Sequence, residues 1–171
     1  MNAVIINSAP GVGKSTLLKE LEKILSNGYA ILDGDDLGRT IPLVNSVEWL
    51  NLMQDNIASC AKNYSEYNIK TLIISFVFPT FKRLQRLTDL LNKAGCSVTH
   101  LRLICEDEEL KMRIKKRNTQ RAVKIGRAIE LNRNITELTS DYMIDTTEKT
   151  PEEVAQIVKE ILEKQKGENG E

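Results

Sequence analysis

One stretch constrains this chain more than any other. In Val4-Ile5-Ile6-Asn7-Ser8-Ala9-Pro10-Gly11-Val12-Gly13-Lys14-Ser15-Thr16 an apolar run passes through a glycine-bearing turn. The segment that follows places Leu17, Leu18, Leu21, Ile24 and Leu25 on one helical face. Strand, turn and helix in that order spell a phosphate-binding loop. Gly11 and Gly13 let backbone N–H groups curl around phosphate oxygens without a Cβ in the way. Lys14 reaches the β and γ phosphates, the Ser15 hydroxyl coordinates Mg²⁺, and the helix start turns its positive dipole end to the ligand. Val12 and Thr16 complete the loop's share of the cofactor-binding set, whose one member outside the loop is Arg113. The first position of the usual pattern holds Ser8 rather than glycine, and a small residue serves there if its φ is negative. The tripeptide Gly13-Lys14-Ser15 alone would be weak evidence. Its strand before and apolar face after predict a chain that binds a nucleoside triphosphate, with ATP and Mg²⁺ as cofactors.

A chain of 171 residues fits one domain, and at that size about 70% of the unfolded surface is hidden on folding. Lys plus Arg and Asp plus Glu are both 24, so no net field draws the protein to nucleic acid or to an anionic membrane surface. Cys60, Cys96 and Cys105 lack metal-ligand spacing and are expected to be free thiols in a reducing cytosol. The apolar run at the start is too short for a secretory leader, and no run is long enough to cross a bilayer. The expectation is a soluble cytoplasmic protein without nucleic-acid or membrane partners. Nothing in the sequence specifies an oligomeric state.

Taken in order, residues 2–7 read as a central strand and about 14–27 as the first helix, stopped by Asn27-Gly28. Tyr29 to Leu32 is a short strand that runs into Asp33-Gly34-Asp35-Asp36. Strand ends of an open parallel sheet form the ligand rim, so these carboxylates land beside the phosphate loop. Asp33 and Asp35 are read as functional, the second following a flexible Gly34, and Asp36 as the cap of whatever follows. From about 45 to 67, Val47, Leu50, Met53, Ile57, Ala61 and Tyr64 recur at helical spacing. Trp49 and Leu52 fall off that stripe and are read as packing on a neighbouring helix rather than lining a pocket. Residues 71–78 form a buried strand that ends without an acid, which leaves Asp33 as the nearest metal-side carboxylate.

Pro79 is expected to open a helix to about Ala94, and 98–105 to form a fourth strand in which His100 is structural. Glu106-Asp107-Glu108-Glu109 favours a helix start. Arg113 and Arg117 follow at i and i+4, then Arg121. The charge run by itself fits a solvated basic face. Its place after a strand and short helix also fits a lid, near 117–125, that clamps a triphosphate. A helix over 122–138, a strand over 141–145 and a helix opened by the capping box Thr150-Pro151-Glu152-Glu153 complete the chain, with a frayed tail from about 164.

The order of parts SAPGVGKST, LDGDDL, RIKKRNTQR and IDTTEKTPEEV resembles the small P-loop kinases related to shikimate kinase, gluconate kinase, adenylylsulfate kinase and chloramphenicol phosphotransferase, over nearly the whole chain. That resemblance implies a single three-layer α/β/α domain, residues 1–171, with a five-stranded parallel sheet of order 2-3-1-4-5, the P-loop nucleoside triphosphate hydrolase fold. It puts Asp33 on the metal side, Asp35 on the acceptor, and Arg113, Arg117 and Arg121 in helix and lid. Ser8 and the missing acid after the third strand depart from the pattern. The function expected is transfer of the γ-phosphoryl group of ATP to a hydroxyl of a small molecule, with a nucleoside or nucleotide acceptor as the nearest variant. Lys14, Asp35, Arg117 and Arg121 are the catalytic candidates. A nucleotide-binding regulatory module is the rival, and it has no use for a second strand-end carboxylate placed to accept a proton, as Asp35 is. No Asn-Lys-x-Asp segment marks a guanine-binding GTPase.

Overall fold

The computed structural model describes residues 1–37, 47–117 and 124–168, with side chains to residue 165. Strands and helices alternate from the start. The order is β1 (Asn2–Asn7), α1 (Lys14–Ile24), β2 (Tyr29–Asp33), a 3₁₀ turn (Gly34–Asp36), α2 (Val47–Glu66), β3 (Thr71–Phe76), α3 (Phe81–Lys93), β4 (Ser97–Ile104), α4 (Asp107–Lys116), α5 (Ile125–Thr136), β5 (Tyr142–Asp145) and α6 (Pro151–Glu168). The five strands pair in parallel in the order β2-β3-β1-β4-β5, as the resemblance implies. Central β1 and β3 are almost wholly buried, which explains their unbroken apolar runs.

Each face of the sheet has its own core. Val4, Ile6, Ile73, Leu101 and Leu103 pack with Leu17 and Leu21 of α1, Leu131 of α5 and Val158 of α6. Ala3, Ile5, Leu72 and Ile74 pack with Met53 and Ile57 of α2 and Leu87 and Leu91 of α3. At about 1.5–3 kcal/mol for each fully buried aliphatic chain, the two layers together hold the sheet's rim in place. No described helix is long and apolar enough to cross a membrane.

Several boundaries differ from the sequence expectation, each for a local reason. α1 ends at Ile24 because Leu25 turns extended, φ −84° and ψ 142°, and packs back on the first core. β3 ends at Phe76 rather than 78. Beyond it the buried Asn7 side chain replaces the ladder: its amide donates to Phe78 O at 2.9 Å, and Phe78 N–H donates to Asn7 Oδ1 at 2.8 Å. Thr80, not Pro79, precedes α3 as its N-cap. α5 starts at Ile125, and α6 runs to Glu168, past the expected fraying point at 164. The Thr150 capping box forms in both directions, Thr150 N–H to Glu153 at 2.7 Å and Glu153 N–H to Thr150 Oγ1 at 3.2 Å.

Trp49 packs against the second core, whereas Leu52 is 47% exposed and joins neither core nor pocket. His100 is buried and structural: its Nδ1–H donates to Thr139 O at 3.2 Å, and its main-chain N–H donates to Asp141 at 2.7 Å. Asp36 is the last residue of the 3₁₀ turn, which Asp33 caps; the segment from 38 that Asp36 is expected to cap, and most of the expected lid with Arg121, fall outside the described residues.

Candidate active site

The phosphate loop leaves β1 at Asn7 and enters α1 at Lys14. Ser8 is fully buried and does not take a positive φ, so serine satisfies the position that usually holds glycine. Gly11 cannot be replaced so easily. Its φ is +94°, and a Cβ there would lie 2.7 Å from Ile114 Cγ1 and 2.9 Å from Leu110 Cδ1. Helix α4 therefore presses directly on the loop. Gly11→Ala should lose about 1–2 kcal/mol from the backbone and about 1–3 kcal/mol from overpacking. At Gly13 a Cβ would meet nothing within 4 Å, so Gly13→Ala should lose only the backbone part. Urea unfolding of the two variants checks that ranking.

Gly13 is the N-cap of α1 and offers no side chain to the helix start, so no side chain competes with an anion for the first-turn N–H groups. Lys14 Nζ donates to Ser8 O at 2.9 Å. Burial brings its ammonium down from 10.5 to about 8, opposed by the charges of Asp35 and then Asp33 and reinforced by Arg117. One cation is thus flanked by two carboxylates from the end of β2 and by an arginine from the end of α4. Burial also raises the Asp33 carboxyl above its usual range, although it accepts the Asp35 N–H at 3.1 Å.

That hydrogen bond makes Asp33 the cap of the 3₁₀ turn. It also corrects the view of Gly34 as a flexible link. Gly34 is buried, and a Cβ on it would come within 2.6 Å of the Phe76 ring. It is glycine because an aromatic ring covers it, and Asp35 is held in place accordingly.

Arg113 differs most from expectation. All five of its N–H groups are spent inside the protein: Nε on Glu109 at 2.7 Å, Nη1 on Val12 O at 3.1 Å and Thr146 Oγ1 at 3.0 Å, Nη2 on Thr146 O at 2.7 Å and Thr147 O at 3.2 Å. It has no donor left for a phosphate. Arg117, exposed at the C-cap of α4, does.

A cavity of about 380 Å³ opens between Val12 of the phosphate loop with Thr16 of α1 and a wall of Arg113, Thr146, Lys149 and Pro151. It is large enough for a nucleobase and its sugar. The last three wall residues escape a reading of the sequence, which shows there only a turn and a capping box. Their place just beyond the end of β5 is the available signal, since that end lies on the same rim.

Oxygen donors suit Mg²⁺, which is commonly held by one or two carboxylates together with substrate phosphates. Among the described residues no cluster of three His, Cys, Asp or Glu side chains could hold a metal unaided. Ser15 and Asp33 fit a shared site of that kind. Ser75, paired opposite Asp33 in the sheet, supports the fit with a buried hydroxyl that has no hydrogen-bond partner.

Residues 4–135 match the model of the AAA domain family. No curated protein matches the chain in sequence. Among solved structures, the tunicamycin resistance protein of Deinococcus radiodurans superposes with a TM-score of 0.71 at 22% identity, over 94% of this chain and 95% of its own. The APS kinase of Mycobacterium tuberculosis, solved with AMPPNP and APS, gives 0.67 at 17% identity, over 95% and 97%. A gluconokinase from Sinorhizobium meliloti gives 0.64 at 13%, over 91% and 87%. Identities of this size carry the fold alone. The family match takes in the phosphate loop, Asp33, Asp35 and the whole of α4, and on that span this chain belongs to the AAA domain family, with the fold of the small P-loop kinases.

Proposed function

We propose that this protein is an ATP-dependent kinase that transfers the γ-phosphoryl group to a hydroxyl of a small molecule. The observation that carries the reading is the setting of Lys14 on the phosphate loop, Nζ on Ser8 O at 2.9 Å, within reach of the charges of Asp35 and Asp33 at the end of β2 and of Arg117 at the end of α4. A nucleotide with its base in the cavity beside Pro151 and its phosphates along the loop would bring the γ group to Lys14, next to the two carboxylates. The cavity lies on the α4 and α6 side of the loop and the carboxylates lie at the end of β2, which separates donor from acceptor.

In this reading the acceptor hydroxyl binds at Asp35, which takes or guides its proton while the oxygen attacks phosphorus. The new P–O bond forms as the bond to the bridging oxygen breaks, and ADP leaves with that electron pair. Lys14 and Arg117 stabilise the charge spread over the transferring oxygens, and Arg121 is assigned the same duty from its place in the sequence. Ser15 and Asp33 are the residues that would hold Mg²⁺, which would supply charge neutralisation for the phosphates. The three free cysteines fit a reducing, cytoplasmic setting.

ADP release over a panel of sugars, nucleosides, hydroxy acids and aminoglycoside or phenicol antibiotics tests the proposal. One acceptor class should raise ADP release well above the acceptor-free rate. Tight ATP binding with no stimulation by any class would instead support a nucleotide-binding regulatory module.

A further inference from the structure

We propose that Arg113 is a positioning residue, a strut that joins the base cavity to the phosphate loop so that the two halves of the nucleotide meet one preorganised site. The inference rests on the nucleotide-binding reading above. Its geometry comes from a single guanidinium that spans three elements. From α4 it grips the loop through Val12 O, and with the same fork it grips the turn after β5 through Thr146 and Thr147. Glu109, one turn earlier on α4, fixes the remaining Nε–H at 2.7 Å and keeps the fork from swinging away.

The two ends of the strut are also the two walls of the cavity. Val12 belongs to the phosphate loop and Thr146 to the wall with Lys149 and Pro151. The Thr146 hydroxyl, itself buried, shares its one hydrogen between Ile104 O at 3.0 Å and Val12 O at 3.3 Å, and the Thr146 N–H donates to Ile104 O at 2.9 Å, so the turn is tied to β4 as well. Leu110 and Ile114, on the same helix, close on Gly11 from the side. With the strut in place, a base bound in the cavity is already at the right distance from Lys14, and its binding adds to that of the phosphates. Without it, each half still binds, but the base no longer strengthens phosphate binding because the linkage between them is loose.

The prediction separates a strut from a ligand. Tripolyphosphate uses only the loop, whereas ATP uses both halves. Arg113→Met should weaken ATP binding by about 10–100-fold, the scale of a misplaced site, while tripolyphosphate binding changes less than about threefold. Arg113→Lys keeps the charge but not the five-donor fork, and should show the same loss of the ATP-to-tripolyphosphate ratio. Both affinities come from calorimetry on the full chain, and Arg113→Lys decides the matter if Arg113→Met does not fold. An equal loss for the two ligands would make Arg113 a direct phosphate ligand and overturn the proposal. So would an unchanged ratio, or a ratio restored by lysine. If the wild-type protein binds no ATP at all, the nucleotide reading fails, whereas ATP binding with an unaltered ratio in the variants defeats the strut alone.

Discussion

Lys14→Met should reduce phosphoryl transfer by at least about 10²–10³-fold, the loss that follows removal of one preorganised charge-stabilising donor, and should at the same time make the nucleotide-free protein more stable at pH 7. The two effects have one cause. The ammonium is held in a partly enclosed loop where burial brings it down from 10.5 to about 8, and Asp35 and Asp33 only partly offset that. A lysine whose folded value lies below its unfolded one opposes folding wherever both forms are protonated, which here means below about pH 8. The penalty fades as pH rises from there toward 10.5. Methionine has no charge to bury, so its thermal advantage over the wild type should be full at pH 7 and shrink between pH 8 and 10. Melting curves at several pH values measure it. A variant that melts lower than wild type at pH 7 would overturn the burial argument, and one that keeps wild-type turnover would remove Lys14 from the catalytic role given to it.

Asp35→Asn should lower transfer to the true acceptor by about 10²–10⁴-fold, the usual contribution of a positioned acid or base, with little change in ATP affinity. The backbone supports this choice of residue. The 3₁₀ turn is anchored by Asp33, which accepts the Asp35 N–H, and by Gly34 beneath Phe76, so asparagine at 35 leaves the turn intact. Asp33→Asn makes the useful contrast. Its amide oxygen still accepts from Asp35 N–H, so the turn survives, but the carboxylate is lost and the Mg²⁺ concentration needed for half-maximal rate should rise. The two neutralisations must differ in kind: one alters the acceptor step and the other the metal requirement. Should Asp35→Asn keep full activity, the base lies elsewhere and Asp35 is a turn residue.

What the sequence revealed was mostly what is local. The apolar run, the glycine turn and the amphipathic segment that make β1, the loop and α1 follow each other without a gap, and the strand-end place of Asp33 and Asp35 follows from parallel topology alone. The role of Arg113 was not legible because its partner Val12 lies 101 residues away, and a basic i,i+4 pair reads the same whether it faces solvent or a carbonyl. Arg102 was hidden in the same way. It sits in β4, 9% exposed, and donates to the carbonyls of Ile135 and Thr136 at the end of α5, a contact that only the packed sheet creates. Glycine gave the opposite error. Gly34 looks like freedom in a sequence and is close packing in the fold.

The most direct measurement follows the label of γ-labelled ATP in a reaction with the acceptor class that stimulates ADP release, scoring labelled acceptor and ADP in the same tube. The account requires the two to form in equal amounts, with Lys14→Met and Asp35→Asn depressing both together. Label appearing only as inorganic phosphate, whatever acceptor is present, would contradict it.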